Sequence, residues 1–308
     1  MKAVRFHEYG DPSVLRYEDV ERPVPGAGQV RIRVAATSFN GVDGNIRAGY
    51  MRGPIPVTLP HTPGLDVSGT VDALGEGVDT VTAGDAVIGF LPMTGTGAAA
   101  EYVIAPAGIL APAPASIPLP DAAALPVVGL TAWQALFDHA RVTAGRRVLI
   151  NGAGGAVGRY AVQLAKNAGA YVIATAAPRS SERVAAADEV VDYTTTEVTA
   201  AVAEPVDVVL NLAPISPERL AALVTLIRPG GVLVNTTVWM PAPGDEARDV
   251  RGIDLFVRSD AAQLAHLASL VDAGELRVDV AARVPLAELA SVHADPAATS
   301  GKTVIVVA

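Results

Sequence analysis

The sequence predicts an α/β protein, a doubly wound parallel sheet joined to a second, mainly-β domain, and three observations carry that prediction. The first is the stretch Arg147-Val148-Leu149-Ile150-Asn151-Gly152-Ala153-Gly154-Gly155-Ala156-Val157-Gly158, continued from Arg159 to Lys166. Val148, Leu149 and Ile150 form the short apolar run of a buried parallel strand, the glycines close a turn, and Val157, Ala161, Leu164 and Ala165 recur at helical spacing. The second is a change of texture. Up to about residue 126, proline and glycine punctuate short alternating segments, whereas between Leu130 and Glu204 the only proline is Pro178 and strand patterns alternate with helix patterns. The third is size: 308 residues, half of them apolar and 18% charged, suffice for two ordinary folded domains.

In chain order, the first domain reads as strands over Ala3 to Phe6, Gln29 to Val34, Gly69 to Leu74, Asp85 to Gly89 and Glu101 to Ile104. Several alternate apolar with polar residues, which describes an irregular, half-open β-domain. The parallel sheet then takes Val148 to Ile150, Tyr171 to Thr175, Val206 to Asn211, Val232 to Asn235 and an outer strand over Ile253 to Val257. A helix from Pro217 to Ile227 should end at Pro229-Gly230-Gly231. Beyond it, a helix from about Ser259 to Ala273, a strand from Leu276, a short helix around Glu288 and a closing strand from Lys302 to Val307 carry no phosphate turn, so they should return to the first domain. The expected limits are 1–124 completed by 258–308 for the β-domain, and 125–257 for the parallel sheet.

The glycine turn has chemistry of its own. A strand that turns through glycine into a helix leaves the first helical amides without intrahelical partners at the positive end of the helix, which is a site for a pyrophosphate. The spacing departs from the strict G-x-G-x-x-G, whose third glycine would fall on Val157; Gly152, Gly155 and Gly158 stand instead at intervals of three. A glycine-rich turn that binds no nucleotide is the alternative, and the strand from Tyr171 weighs against it by starting where a βαβ unit needs it. The end of that strand reads the ribose in dinucleotide folds. Residues 175–181, Thr175-Ala176-Ala177-Pro178-Arg179-Ser180-Ser181, hold no acid that would accept from a 2′-hydroxyl and repel a 2′-phosphate. NADP(H) is therefore expected over NAD(H), with Arg179 as phosphate clamp supported by Ser180 and Ser181; the alternative is a solvated loop arginine.

A formal charge of −9 without a clustered basic face argues against nucleic acid as partner. The absence of cysteine removes disulfides, thiolate chemistry and cysteine-ligated zinc. The N-terminal Met-Lys-Ala-Val-Arg-Phe has no apolar run behind its charge, and long apolar stretches are broken by proline or glycine, so a soluble cytoplasmic protein without membrane contact is expected.

Short matches then run from end to end of the chain: Phe39-Asn40-Gly41-Val42-Asp43, Arg47-Ala48-Gly49-Tyr50, residues 62–69, 84–89, 97–103 and 130–136, the glycine turn, Asp192-Tyr193, and Gly301-Lys302-Thr303-Val304. In this order they resemble the medium-chain dehydrogenase/reductase superfamily, in its zinc-free, zeta-crystallin-like quinone oxidoreductase branch. The resemblance implies a GroES-like β-domain, a Rossmann domain and a cleft where cofactor meets substrate. Zinc-dependent relatives carry cysteine where this chain has Asn40, and histidine followed by glutamate where it has Leu65-Asp66; asparagine does not replace a thiolate on zinc, and leucine binds no metal. The resemblance further implies Thr131 at the nicotinamide, backbone amides of Ala156 and Val157 at the pyrophosphate, and Tyr193 beside the adenosine phosphate. Asn211-Leu212 and Thr236-Thr237-Val238 would lie at strand ends near the nicotinamide ribose and carboxamide, with Trp239, Met240 and Pro241 along the substrate cleft or simply packed at an interface.

Without a Lewis acid, oriented hydrogen-bond donors must stabilise the charge that develops when hydride reaches an electron-poor carbon, which suits quinones and α,β-unsaturated carbonyls. Asn40, Tyr50 and His61 are the candidate catalytic residues, and each has a structural alternative: a loop-holding amide, a wall residue and a hydrogen-bonded loop histidine. His61 stands where relatives carry a tyrosine. Asp43 and Arg47, spaced i and i+4, are expected to pair and fix the loop of Asn40, while Asp66 and Glu101 are either a buried acidic pair or separately satisfied carboxylates. The reading is an NADPH-dependent quinone or enone reductase; an enoyl-thioester reductase and a non-enzymic NADPH-binding structural or regulatory protein are its rivals. A homodimer is expected through the outer strand, as in relatives.

Overall fold

The computed structural model describes residues 1–237, 239–295 and 301–307. Contacts divide the chain into two units, Met1–Val127 with Ser259–Ala308, and Val128–Arg258. In the first unit, β1 (Lys2–Phe6) and β2 (Leu15–Asp19) form an antiparallel pair. The spine is β3 (Gln29–Ser38), where Val30, Ile32, Val34 and Ala36 face the core and Arg31 and Arg33 face away, the period-two burial that its alternating sequence dictates. After it come α1 (Gly41–Ala48), β4 (Asp66–Leu74), β5 (Ala86–Phe90), β6 (Tyr102–Pro106) and β7 (Leu110–Pro112).

The second unit opens in α2 (Pro126–Trp133), whose first turn holds the boundary. Then follow β8 (Arg147–Asn151), α3 (Ala156–Asn167), β9 (Tyr171–Ala176), β10 (Glu189–Asp192), α4 (Val198–Ala201), β11 (Val206–Asn211), α5 (Pro217–Val224), β12 (Ile227–Asn235) and β13 (Arg251–Asp254). The six strands pair in the order β10-β9-β8-β11-β12-β13, every pair parallel. This is the doubly wound order, and the chain reverses direction between β8 and β11, the switch point where such sheets bind ligands.

Two sequence expectations shift here. The segment Pro229-Gly230-Gly231 does not end α5 but lies inside β12, because a bulge between Val206 and Val208 of β11 lets the register jump from Ile227 to Val232. The outer strand begins at Arg251 and stops at Asp254, opposite Asn235, since β12 offers no partner beyond that residue.

The chain then returns to the first unit through α6 (Ala261–Asp272), β14 (Val280–Pro285), α7 (Leu289–Ala294) and β15 (Lys302–Val306). The strand expected from Leu276 starts later, because the Leu276 amide closes onto the Leu270 carbonyl at 3.0 Å and buries its side chain against the end of α6. The sheet of this unit runs β14-β15-β3-β4-β5-β7, with β6 also paired to β3. Among the described residues no helix is long and apolar enough to cross a membrane.

Candidate active site

At the switch point, β8 ends at Asn151 and Gly152 turns the chain with φ 86°, a left-handed conformation that suits glycine. The Gly155 amide closes the turn on the Gly152 carbonyl at 3.1 Å, and Gly155 sits at the N-terminal cap of α3. The amides of Ala156 and Val157, at the first two positions of that helix, have no helical carbonyl ahead of them. A Cβ on Gly158 would lie 2.4 Å from the backbone of Ala153, so Gly158 takes the close-packing position that the strict motif gives to its third glycine. The offset spacing therefore does the same mechanical work.

Thr175, at the end of β9, is buried; its hydroxyl accepts the Gly152 amide at 2.8 Å and donates to Asn151 Oδ1 at 3.0 Å. Arg179 is exposed, in the turn Pro178–Val184 that follows. Ser180 is buried under Gly154 and donates to the Ala177 carbonyl at 3.1 Å, and Ser181 donates to the Pro178 carbonyl at 2.9 Å, so both hydroxyls serve the turn. A cavity of about 410 Å³ opens beside these strand ends, lined among others by Asn151, Gly152, Thr175, Tyr193, Ala213 and Arg219. Arg219, paired with Glu197 at 3.2 Å, is a wall residue that sequence reading missed, for it stands on a short surface helix with no motif around it. Leu212 donates its amide to the Asn151 carbonyl at 2.9 Å and Thr236 to the Asn211 carbonyl at 3.1 Å, while Thr237 bonds Asn235. Thr131 is buried in α2, and Val238 lies outside the described residues.

The first unit holds a separate polar cluster. Asp66, fully buried at the start of β4, accepts from the Ser38 hydroxyl, from Asn40 Nδ2 at 2.9 Å, from the Val127 amide at 2.7 Å and from the Lys302 ammonium at 3.2 Å. Lys302, 2% exposed, also donates to Asn40 Oδ1 at 2.5 Å. Asn40 is thus held at both ends of its amide, its oxygen on a cation and its nitrogen on a carboxylate. Neither an asparagine nor its two partners stand out by sequence distance; only the fold brings them together.

The other candidates sit apart from this cluster. Tyr50 is 69% exposed just beyond α1. His61 is buried, bridged to Phe6 and stacked edge-on against its ring at 5.3 Å, and burial pushes its pKa down to about 4, so its imidazole is neutral near pH 7. The expected pair of Asp43 with Arg47 is not formed. Asp43 instead accepts the amides of Asn40 at 2.9 Å and Gly64 at 3.1 Å, and burial pushes its carboxyl up to about 6, whereas Arg47 donates to the Gly10 carbonyl at 2.7 Å. Asp66 and Glu101 are separately satisfied, the latter by the Lys2 amide at 2.8 Å.

A doubly wound parallel sheet with a glycine turn at its switch point, on one chain with a β-rich unit, defines a dehydrogenase-type protein. Residues 26–115 match the alcohol dehydrogenase GroES-like domain family, and residues 185–305 match the zinc-binding dehydrogenase family. A quinone oxidoreductase of Lama guanicoe is 33% identical over 98% of this chain and 95% of its own length. A chloroplast envelope quinone oxidoreductase homolog of Arabidopsis thaliana is 40% identical over 64% of this chain and 62% of its own length. Among solved structures, the quinone oxidoreductase of Coxiella burnetii superposes with a TM-score of 0.90 at 30% identity, covering 100% of this chain and 99% of that one. A mycobacterial protein solved in complex with NADPH superposes with a TM-score of 0.85 at 28% identity, over 99% of this chain and 100% of that one. The chain belongs to the quinone oxidoreductase branch of the medium-chain dehydrogenase/reductase superfamily, and its sheets are the GroES-like and Rossmann folds of that group.

Proposed function

We propose that the protein uses NADPH to reduce quinones or other α,β-unsaturated carbonyls, and that it does so without zinc. The observation that carries the reading is the cluster around Asp66. At the positions where zinc-dependent relatives ligate metal, this chain has an asparagine, a leucine and an aspartate whose charge is already met by the Lys302 ammonium at 3.2 Å. That donor set does not fit zinc: no thiolate or imidazole stands there, and a second cation would face the first. Acceptors whose own conjugation spreads the developing charge suit such a site better than simple alcohols.

NADPH, when bound, supplies the hydride. The amides of Ala156 and Val157 would hold its pyrophosphate at the positive end of α3, and the cavity beside Tyr193 would receive the adenosine. Arg179, with no acidic residue between Thr175 and Ser181, favours a 2′-phosphate over a free hydroxyl. The complex of the mycobacterial neighbour with NADPH supports the same choice. Tyr50, exposed just beyond α1, carries a hydroxyl able to meet an acceptor, and Asn40, with its amide oriented by Lys302 and Asp66, and the buried His61 are the other candidates.

NADPH oxidation with a panel of quinones, enones and enoyl thioesters, with and without a metal chelator, tests the proposal. Turnover on quinones or enones that the chelator leaves unchanged is expected. Chelator-sensitive turnover, or activity confined to alcohols, overturns it. We also propose a homodimer through the exposed edge of β13, followed by Phe256 at 63% exposure. Sedimentation at micromolar concentration should show one species of twice the chain mass; a monomer removes the idea.

A further inference from the structure

Across the carboxyl ends of five strands of the parallel sheet runs one row of polar side chains. Asn151 on β8, Asn211 on β11, Asn235 on β12 and Asp254 on β13 are register partners in turn, and Thr175 on β9 follows the pair of Ala174 with Ile150. Equivalent residues of neighbouring parallel strands lie about 4.8 Å apart on the same face, a spacing that a carboxamide spans with one hydrogen bond.

The links run in a single direction. The Gly152 amide donates to Thr175 Oγ1 at 2.8 Å, and the Thr175 hydroxyl donates to Asn151 Oδ1 at 3.0 Å. Asn151 Nδ2 then donates to Asn211 Oδ1 at 2.8 Å, Asn211 Nδ2 to Asn235 Oδ1 at 2.9 Å, and Asn235 Nδ2 to Asp254 Oδ1 at 3.3 Å. The carboxylate end enforces the direction, because a carboxylate can only accept, and the Thr175 hydroxyl, which both donates and accepts, adapts to it. Neither Asn211 nor Asn235 can flip its amide without setting donor against donor on one side and acceptor against acceptor on the other.

Side branches tie the loops after β11 and β12 to the row. Asn211 also donates to the Ala213 carbonyl at 3.1 Å, and the two N–H groups of Asn235 are shared among Asp254 and the carbonyls of Thr237 at 3.0 Å and Met240 at 2.8 Å. Asp254 accepts the Ala242 amide at 2.9 Å. Asn211 and Asn235, 0% and 1% exposed and away from the cavity that Asn151 and Thr175 line, are closed to water, so loss of the link between them leaves an unpaired polar group.

We infer that this row is a positioning relay: it sets the glycine turn after β8 and the residues Thr237 and Met240–Ala242 after β12, roughly 10 Å apart across two strand spacings, in one register, so that a dinucleotide at the turn orders those residues. The relay rests on the dinucleotide reading above for its trigger, not for its existence. Thr175, Asn151, Asn211 and Asn235 act as positioning residues through their neighbours.

Hydrogen exchange read by mass spectrometry on the full chain tests it in two arms. Without ligand, Asn211→Leu, which keeps the volume and removes every hydrogen bond, should speed exchange at least tenfold in peptides covering both Gly152–Gly158 and Trp239–Ala242, while β3 to β5 are unchanged. Unaltered exchange at Trp239–Ala242 overturns the relay. With saturating NADPH, Trp239–Ala242 should be slowed at least tenfold in the wild type and in Thr175→Ser, and hardly at all in Thr175→Val, although occupancy checked by nicotinamide fluorescence is equal. Equal slowing in Thr175→Val overturns the relay. Should Asn211→Leu fail to fold, Thr175→Val, which trades one hydroxyl for a methyl, supplies the ligand-free arm as well. Failure of NADPH to bind the wild type would refute the dinucleotide reading while the ligand-free arm still decides the relay.

Discussion

Lys302 is an ammonium with 2% exposure, held between Asp66 and Asn40. A buried ion pair adds little net stability over an apolar replacement, but removing one partner strands the other. Lys302→Met is therefore expected to cost about 3–5 kcal/mol in urea unfolding, and adding Asp66→Asn should recover a large part of it, a non-additivity that a double-mutant cycle measures. Arg179→Ala is expected to raise the KM for NADPH at least tenfold and that for NADH less than twofold, since only the former carries the phosphate; equal changes would move the clamp to another residue. The residue types at positions 40 and 179 were legible in the sequence, yet their partners were not. Arg179 lies within four residues of the strand it serves, whereas the partner of Asn40 lies 262 residues away along the chain.

At the scale of elements, the strand, turn and helix from Arg147 to Asn167 stand where the sequence put them, because apolar run, glycines and helical spacing are all local properties. The position of Gly158 is the part with a measurable consequence. Gly158→Ala would set a methyl 2.4 Å from the Ala153 backbone and push α3 away from the turn. A loss of about 1–3 kcal/mol in thermal unfolding, with NADPH affinity reduced tenfold or more in a fluorescence titration, is expected; unchanged affinity would separate the helix from the phosphate. The end of α5 and the start of β12 went the other way. Proline and two glycines look like a stop signal in isolation, but the bulge in β11 absorbs them into a strand.

At the scale of the whole molecule, buried titratable groups set how stability responds to acid. His61, pushed down to about 4, and His293, pushed down to about 3 by burial and by the neighbouring Arg47, bind protons more weakly folded than unfolded. Their contribution is full above the ordinary histidine value of 6.5 and is lost as the pH falls towards the folded values. Asp43, pushed up to about 6, has the opposite sign: its contribution is full below 3.8 and is lost as the pH rises through about 6. Between pH 7 and 4.5 each histidine should remove roughly 2 kcal/mol and Asp43 return about 2, leaving a net loss. Urea unfolding at the two pH values should show that loss, and the double variant His61→Gln/His293→Gln should reverse its sign; a wild type equally stable at both would show that these rings are not buried neutral.

Taken alone, the sequence determined the two sheet systems, the glycine turn within the parallel one and the family, because each is written in nearest-neighbour periodicity or in short motifs whose order along the chain is itself the signal. Only the tertiary structure decided what the polar residues do. Asn40 turns inward because β15 brings Lys302 beneath it, and His61 is neutral because the β1 strand covers it. The three asparagines ending β8, β11 and β12 form one hydrogen-bonded row because the sheet places strands distant in the chain side by side. Burial and partnership depend on which strands become neighbours, and that is a property of the sheet order, which no local pattern encodes.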